Sequence, residues 1–183
     1  MVKKILATTL AAAGLMTAAS TAPAQNLKIG FLMTMNHPLG KQSVNGFRLG
    51  LKSEGWTKNG DKLGGVPTDV FWSDDQFKPS VARQEVDKFI KSNKVDVVAG
   101  IIWSNILMAV QRPVVRSKTI LLITNAGAGP MFGRLCSPYF ITTAWNNDQN
   151  TEAAGQLMKD EGVKSVFLLA PNYQAGKDMI NGF

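Results

Sequence analysis

The fold class of this chain is decided by one stretch, VDVVAGIIWSN at residues 95–105. Its first part, Val95–Ile102, is almost continuously apolar, which is typical of a strand buried on both faces of a parallel sheet. The residues that follow, Ile106, Val110 and Val114, are spaced to share one face of a helix. The stretch therefore predicts a strand–helix unit from a sheet that helices cover on both sides.

The same alternation extends along the chain in both directions from this unit. Strands are predicted at residues 27–33, 68–72, 95–102, 119–124, 139–143 and 165–170. Helices are predicted at residues 40–53, 79–90, 106–114, 147–161 and from 175 onward. Regular alternation of apolar strands with amphipathic helices indicates an α/β fold with a doubly wound parallel sheet.

The N-terminal segment, residues 1–24, has the three-part pattern of a secretory signal peptide. Lys3 and Lys4 give a positive start, and an uncharged, alanine-rich stretch follows them. The small-x-small motif Ala22-Pro23-Ala24 then predicts cleavage before Gln25. We therefore expect the mature chain to be exported to the periplasm.

The charge pattern and the rare residue types exclude several classes of protein. The net charge is +7, but the basic residues are scattered singly and form no patch suited to nucleic acid. His37 is the only histidine and Cys136 the only cysteine, so neither a zinc cluster nor an internal disulfide is expected. In an oxidising compartment the lone thiol is expected to be buried or to pair outside this sequence.

Four loops are candidates for a ligand site, because ligands of open parallel sheets bind beyond the carboxyl ends of the strands. These loops are residues 34–38, 73–76, 103–105 and 125–129. The last one begins a GxGxxxG pattern, which differs from the dinucleotide fingerprint GxGxxG. Its small residues are expected to let backbone groups approach a ligand closely.

Trp103 and Ser104 occupy the most informative loop, between a predicted strand and a predicted helix. The Ser104 hydroxyl could bind a carboxylate beside the free N–H groups of the helix start. Alternatively, Ser104 or Asn105 could only cap the helix. The indole of Trp103 could stack on a ligand or pack under the loop. Spacing alone leaves both alternatives open for each side chain.

No catalytic site is predicted from the residue pattern. Asp74 and Asp75 are adjacent at a strand end, where aspartates more often cap the following helix than act as an acid–base pair. No serine or cysteine lies in a nucleophile-elbow pattern, and no Walker motif occurs. A binding protein therefore fits the sequence better than an enzyme does.

A series of short motifs runs through the mature chain. They are Leu27-Lys28-Ile29-Gly30, Asn45-Gly46, Asp74-Asp75 with Pro79 and Ala82, Gly100 through Ser104, Thr124 through Ala128, Thr142-Thr143 with Asp148-Gln149, and Ala175-Gly176. In this order and spacing, the chain resembles the periplasmic binding proteins of branched-chain amino-acid ABC importers, the leucine/isoleucine/valine type.

The resemblance implies a two-lobe (Venus flytrap) protein of the type I periplasmic binding fold, whose lobes close on a ligand. Residues 25–143 would form the first lobe and residues 144–183 the incomplete start of the second. The given sequence would then be a fragment of a longer protein. No catalytic residue, metal or cofactor is implied.

The resemblance also implies which residues contact the ligand. Carried over to this chain, with additions from the neighbouring loops, they are Met35, Trp103, Ser104, Asn105, Ala126, Gly127, Ala128 and Tyr173. Many relatives have a threonine where this chain has Ala128, and a tyrosine–glycine pair where it has Ala175-Gly176. These departures weaken the expectation of strict amino-acid recognition.

The implied function is the capture of a small amino-acid-like or other carboxylate-bearing solute, such as a branched-chain amino acid or an aromatic acid. The implied partners are that small molecule and the membrane permease subunits of the importer, with no nucleic acid. The full-length protein would be a monomer. The alternative is a ligand-sensing domain for amides or urea-type solutes that feeds a regulator rather than an importer.

Overall fold

The computed structural model describes residues 25–56 and 62–183, so the predicted signal peptide lies outside the described residues. The strands are β1 (Leu27–Met33), β2 (Lys62–Leu63), β3 (Val66–Asp74), β4 (Val97–Gly100), β5 (Ile120–Ile123) and β6 (Phe140–Thr142). The helices are α1 (Pro38–Ser53), α2 (Pro79–Lys88), α3 (Ser104–Arg116), α4 (Asn147–Asp160) and α5 (Gln174–Gly182). A π-helical turn, Phe89–Asn93, extends α2, and a short 3-10 helix, Gly129–Phe132, follows β5.

The strands form one sheet in the order β2-β3-β1-β4-β5-β6. All pairs are parallel except β2 with β3, which form a two-residue antiparallel ladder. The chain adds strands first on one side of β1 and then on the other. The strand order therefore reverses between β1 and β4, and this reversal is the place where doubly wound sheets leave a crevice for ligands.

Apolar side chains fill both faces of the sheet. On one face, α2 and α3 pack over β4 and β5 through fully buried residues that include Val86, Leu107 and Val98. On the other face, Phe47 of α1 stacks on Phe31 of β1 with ring centroids 4.3 Å apart. Helices on both faces confirm the predicted doubly wound α/β class.

The predicted strand at residues 165–170 is wrong. Residues 163–170 have no regular secondary structure, and Phe167 and Leu169 are 87% and 89% exposed. A strand is stable only when a neighbour pairs its backbone N–H and C=O groups. Among the described residues, no backbone partner pairs with residues 165–170, so their apolar composition alone does not make them a strand.

Other differences from the sequence prediction are smaller. The two-residue strand β2 was not predicted, because two residues are too short to show an alternation. Helix α3 continues through Pro113 to Arg116. The thiol of Cys136 is exposed, so of the two alternatives for it, burial or pairing outside this sequence, the first is wrong. Within the described residues, no helix is both long and apolar enough to cross a membrane.

Candidate ligand-binding site

The loops that follow β1, β3 and β4 are joined by a chain of side-chain hydrogen bonds. The indole Nε1 of Trp103 donates to Thr34 Oγ1 at 2.8 Å, and the Thr34 hydroxyl donates to Asp75 Oδ1 at 2.5 Å. These residues lie where the strand order reverses between β1 and β4. The hydrogen bonds hold the indole in one orientation at the edge where a ligand crevice is expected.

The carboxyl group of Asp75 is fully buried at the base of this network. Burial raises the pKa of Asp75, and the nearby charge of Asp74 raises it further. Hydrogen bonds from the Thr34 hydroxyl and the Phe77 amide act in the opposite direction and lower this pKa. Among the described residues, Asp75 Oδ2 has no hydrogen-bond partner. The carboxylate is therefore only partly compensated for its loss of water.

Asp74 and Asp75 order the turn after β3 and do not cap α2. Asp74 Oδ1 accepts from the amide of Gln76 at 2.8 Å, and Asp75 Oδ1 accepts from the amide of Phe77 at 2.8 Å. The N-cap of α2 is Lys78, which makes no side-chain capping bond. The prediction that the aspartates cap the following helix is thus wrong, because two residues in the left-handed region intervene: Gln76 and Phe77 have φ of 51° and 60°.

Three rings form what we call the aromatic wall, which consists of His37, Phe77 and Trp103. The edges of His37 and Phe77 meet the Trp103 ring, with centroids 5.0 Å and 4.7 Å away and interplanar angles of 82° and 85°. Phe77 is 52% exposed although it adopts a left-handed backbone conformation that is unusual for a bulky residue. An exposed ring held in this way is suited to contact with an apolar or aromatic ligand.

Met35 lies beside the aromatic wall. It is half-buried, it packs against the core under α1, and its backbone amide donates to Asp74 Oδ1 at 3.2 Å. His37 is the N-cap of α1, where its Nδ1 accepts from the amide of Leu39 at 3.2 Å. Both residues therefore have a local structural role in the loop after β1.

Ser104 is the first residue of α3, and Trp103 is its N-cap. No side-chain capping bond is present there, so the alternative that Ser104 or Asn105 only caps the helix is wrong. Instead, the buried Ser104 Oγ accepts a hydrogen bond from Asn147 Nδ2 at 3.1 Å. Asn105 Oδ1 is buried without a partner among the described residues.

The loop after β5 packs tightly against its neighbours. Ala126 and Ala128 are buried in the core, and the Ala126 amide donates to the carbonyl of Ile101 at 3.2 Å. A Cβ atom at Gly127 would lie 2.2 Å from the Trp145 carbonyl oxygen, so only glycine fits there. The sequence predicts that the small residues of this loop let backbone groups approach a ligand, but at Gly127 the space is taken by the neighbouring backbone at Trp145.

A second polar network joins this loop to the later part of the chain. Asp178 Oδ2 accepts from the Gly129 amide at 2.9 Å and from Asn147 Nδ2 at 3.0 Å. Asp178 Oδ1 accepts from Gln174 Nε2 at 2.7 Å. Tyr173 is the half-buried N-cap residue of α5, and burial raises the pKa of its phenol.

The structure places the predicted contact residues in two groups. Met35 and Trp103 lie on the side of the aromatic wall, which we call the aromatic end of the site. Ser104 and the loop 126–128 lie on the side of the α3 N-terminus, which we call the polar end. Trp103 and Ser104 are adjacent in the chain and therefore connect the two ends. Tyr173 reaches the polar end only through the helix α5 that it begins. Sequence reasoning placed Thr34 and His37 in a candidate loop without naming them as ligand contacts, and it did not identify Phe77, Asn147 and Asp178 as site residues. Phe77 lies three residues after the end of β3, which is a detectable pattern, but nothing local marks Asp178.

No metal centre is formed by the part of the chain that the structure describes, since no group of three or more potential His, Cys, Asp or Glu ligands occurs there. Separately, the described residues bring hydrogen-bond donors next to aromatic rings. Such an arrangement suits the recognition of a small molecule with one polar and one apolar end.

Comparison with known proteins gives a family match over most of the chain. Residues 26–183 match the family model described as "Periplasmic binding protein". None of the curated proteins matches the chain.

Solved structures are similar to the chain along most of its length. The solute-binding protein of an ABC transporter from R. palustris, in complex with benzoate, is 30% identical with a TM-score of 0.77, over 87% of this chain and 44% of that protein. An ABC transporter substrate-binding protein from Sphaerobacter thermophilus is 25% identical with a TM-score of 0.72, over 87% of this chain and 43% of that protein.

A third similar structure is described with a different class of ligand, the branched-chain amino acids. The branched-chain amino acid ABC transporter periplasmic ligand-binding protein from Burkholderia xenovorans is 25% identical with a TM-score of 0.69, over 86% of this chain and 42% of that protein. The chain thus spans less than half the length of each of these relatives. All three are described as binding proteins, in agreement with the prediction that the chain is not an enzyme.

Proposed function

The chain belongs to the periplasmic binding protein family, and we propose that it binds a small carboxylate-bearing solute for an ABC importer. The observation that carries the proposal is the placement of the buried Ser104 hydroxyl at the N-terminus of α3, next to the aromatic wall. The two features offer complementary surfaces to the two ends of an organic acid.

The polar end suits a carboxylate for two reasons. The first amides of α3 have no partners within the helix and carry the positive end of its dipole. Ser104 lies at this end, and its hydroxyl can supply a further donor. An anionic group at this position would gain hydrogen bonds from both sources.

The aromatic end favours an aromatic acid over a branched-chain amino acid. Trp103 and the exposed Phe77 present ring surface next to the polar end. The R. palustris relative, described in complex with benzoate, supports this preference. The Burkholderia xenovorans relative keeps a branched-chain amino acid as the second candidate. None of the relatives reported above is described as a regulator, so the sensor alternative is not carried further.

The remaining parts of the proposal concern the whole protein. We propose that residues 1–24 direct export to the periplasm, that residues 25–143 form the first lobe, and that residues 144–183 begin the second. The ligand contacts from these segments would be Met35, Trp103, Ser104, Asn105, Ala126, Gly127, Ala128 and Tyr173. A monomer of this type would deliver its ligand to the permease subunits of the importer.

A thermal-shift screen tests the proposed ligand class. The protein, expressed from its complete gene, is heated alone and with benzoate, 4-hydroxybenzoate, leucine, benzamide or urea. Because a ligand that binds only the folded state raises its stability, we expect the melting temperature to rise with the carboxylates and most with the aromatic ones. A rise with benzamide or urea but with none of the carboxylates would overturn the proposal.

A further inference from the structure

The side chains of Asn147 and Asp178 join the two loops of the proposed carboxylate site. Asn147 is the first residue of α4 and Asp178 lies in α5, and both come from the part of the chain that follows β6. They are only 4% and 8% exposed. Two buried polar side chains next to a ligand site need an explanation, because burying a polar group costs free energy unless it gains partners.

Every hydrogen of Asn147 that can be donated is directed at this site. Its side-chain amide donates to Ser104 Oγ at 3.1 Å and to Asp178 Oδ2 at 3.0 Å. Its backbone amide donates to the Gly127 carbonyl at 2.9 Å. Asn147 therefore fixes the loop after β4 and the loop after β5 at the same time.

Asp178 holds this arrangement in place from the opposite side of the amide. Its Oδ2 atom accepts from Asn147 and from the Gly129 amide, and its Oδ1 atom accepts from Gln174. Three donors thus compensate the buried carboxylate.

The consequence for Ser104 is that its hydroxyl hydrogen points away from Asn147. A serine hydroxyl has one hydrogen to donate and can rotate to suit its partners. Because Asn147 donates to Ser104 Oγ, the oxygen acts as the acceptor in that bond and the hydrogen points elsewhere. Among the described residues, no acceptor takes this hydrogen.

We propose that Asn147 and Asp178 are positioning residues, which orient the Ser104 hydroxyl as a donor toward the ligand carboxylate and fix the Gly127–Gly129 loop beside it. This inference rests on the proposed function. It assigns a binding role to two residues that need not touch the ligand, and it makes the preference for a carboxylate depend on segments outside the predicted first lobe.

A double-mutant cycle with Ser104 tests the inference. The affinity for benzoate and for benzamide is measured by calorimetry in the protein and in Ser104→Ala, Asn147→Ala and the double variant. We expect each single change to weaken benzoate about 5- to 150-fold and to lower the ratio of benzoate to benzamide affinity. The double variant should bind benzoate almost as tightly as the single variant with the larger loss, because both changes remove the same interaction.

Two further variants separate positioning from folding. Gln149→Ala removes a side chain that accepts from the Asn146 amide at the same helix start, and it should leave both affinities unchanged. Asp178→Ala removes the oxygen that accepts from Asn147 and Gly129, so it should lower the benzoate preference as Asn147→Ala does. Thermal unfolding without ligand shows whether each variant is folded.

The possible results have distinct meanings. Additive losses in the Ser104–Asn147 cycle, or equal losses for benzoate and benzamide in a folded Asp178→Ala variant, would overturn this inference and leave the proposed function intact. If the unaltered protein binds no carboxylate, the proposed function fails and the inference fails with it.

Discussion

Two neighbouring residues, Trp103 and Ser104, contribute the main aromatic and the main polar group of the proposed site. The sequence left open whether Trp103 packs or contacts a ligand, and the structure shows a ring that is partly buried and flanked by two others. It also excludes a simple capping role for Ser104, whose hydroxyl is tied to a distant asparagine. The residue type and the strand-end position were readable from the sequence, but the partners were not.

Removal of the Ser104 hydroxyl should weaken carboxylate binding. We expect Ser104→Ala to cost about 1–3 kcal/mol of binding free energy for a carboxylate ligand, because a hydrogen bond to a charged group is lost in a buried site. Calorimetric titration gives the value directly. Unchanged affinity would show that the hydroxyl has no ligand contact.

Removal of the Trp103 ring should distinguish aromatic from aliphatic ligands. We expect Trp103→Ala to weaken benzoate binding more than leucine binding, since aromatic pairs add about 0.5–1.5 kcal/mol beyond the area they bury. Parallel titrations of the two ligands measure the difference. Equal losses for both would indicate that the indole serves only to pack the loop.

The buried carboxyl of Asp75 should make stability depend on pH. Because burial raises its pKa in the folded protein, the folded state binds this proton more tightly than the unfolded state does. Its contribution to stability is therefore fully present below the unfolded pKa and is lost as pH rises through the raised folded pKa.

Asp75→Asn removes this dependence while keeping an oxygen that can accept from Thr34 and Phe77. We expect the variant to lose less stability than the unaltered protein as pH rises from about 4 to 7. Urea unfolding across that range measures the difference. The exposed Asp160→Asn is the control and should follow the unaltered protein. If the free energy of unfolding of Asp75→Asn also fell with pH as that of the unaltered protein does, the account of Asp75 would be contradicted.

At the scale of elements, the hydrophobic pattern predicted the sheet well and failed at one strand. The strands β1, β4 and β5 were predicted because each is an almost continuous apolar run, and each is paired on both sides in the structure. The run at residues 165–170 is equally apolar but has no strand neighbour among the described residues. Composition reports the tendency to be buried, whereas a strand also needs a partner.

The apolar face of α3 should carry much of the stability of the fold. Leu107 is fully buried between this helix and the sheet, so we expect Leu107→Ala to cost about 2–5 kcal/mol of unfolding free energy. Leu49 of α1 is 68% exposed, and Leu49→Ala should change stability by less than about 0.5 kcal/mol. Chemical denaturation measures both. Similar effects for the two leucines would contradict the packing described here.

At the scale of the whole molecule, the site is assembled from segments that are far apart in the sequence. The crevice rule located the loops after β1, β3, β4 and β5 because the carboxyl ends of parallel strands share one edge. No such rule marks Asn147 or Asp178, which reach Ser104 and Gly129 only through the packing of α4 and α5. The sequence could therefore predict the loops and the family, but not the polar network that joins them.

The central claim is that the crevice recognises an aromatic carboxylate by its two ends, and calorimetric titration with matched ligands tests it most directly. The protein is titrated with benzoate, with benzamide, which lacks the charge, and with cyclohexanecarboxylate, which lacks the aromatic ring. We predict that benzoate binds most tightly and that each of the other two binds measurably more weakly. Equal affinity for all three, or tighter binding of benzamide, would contradict the account.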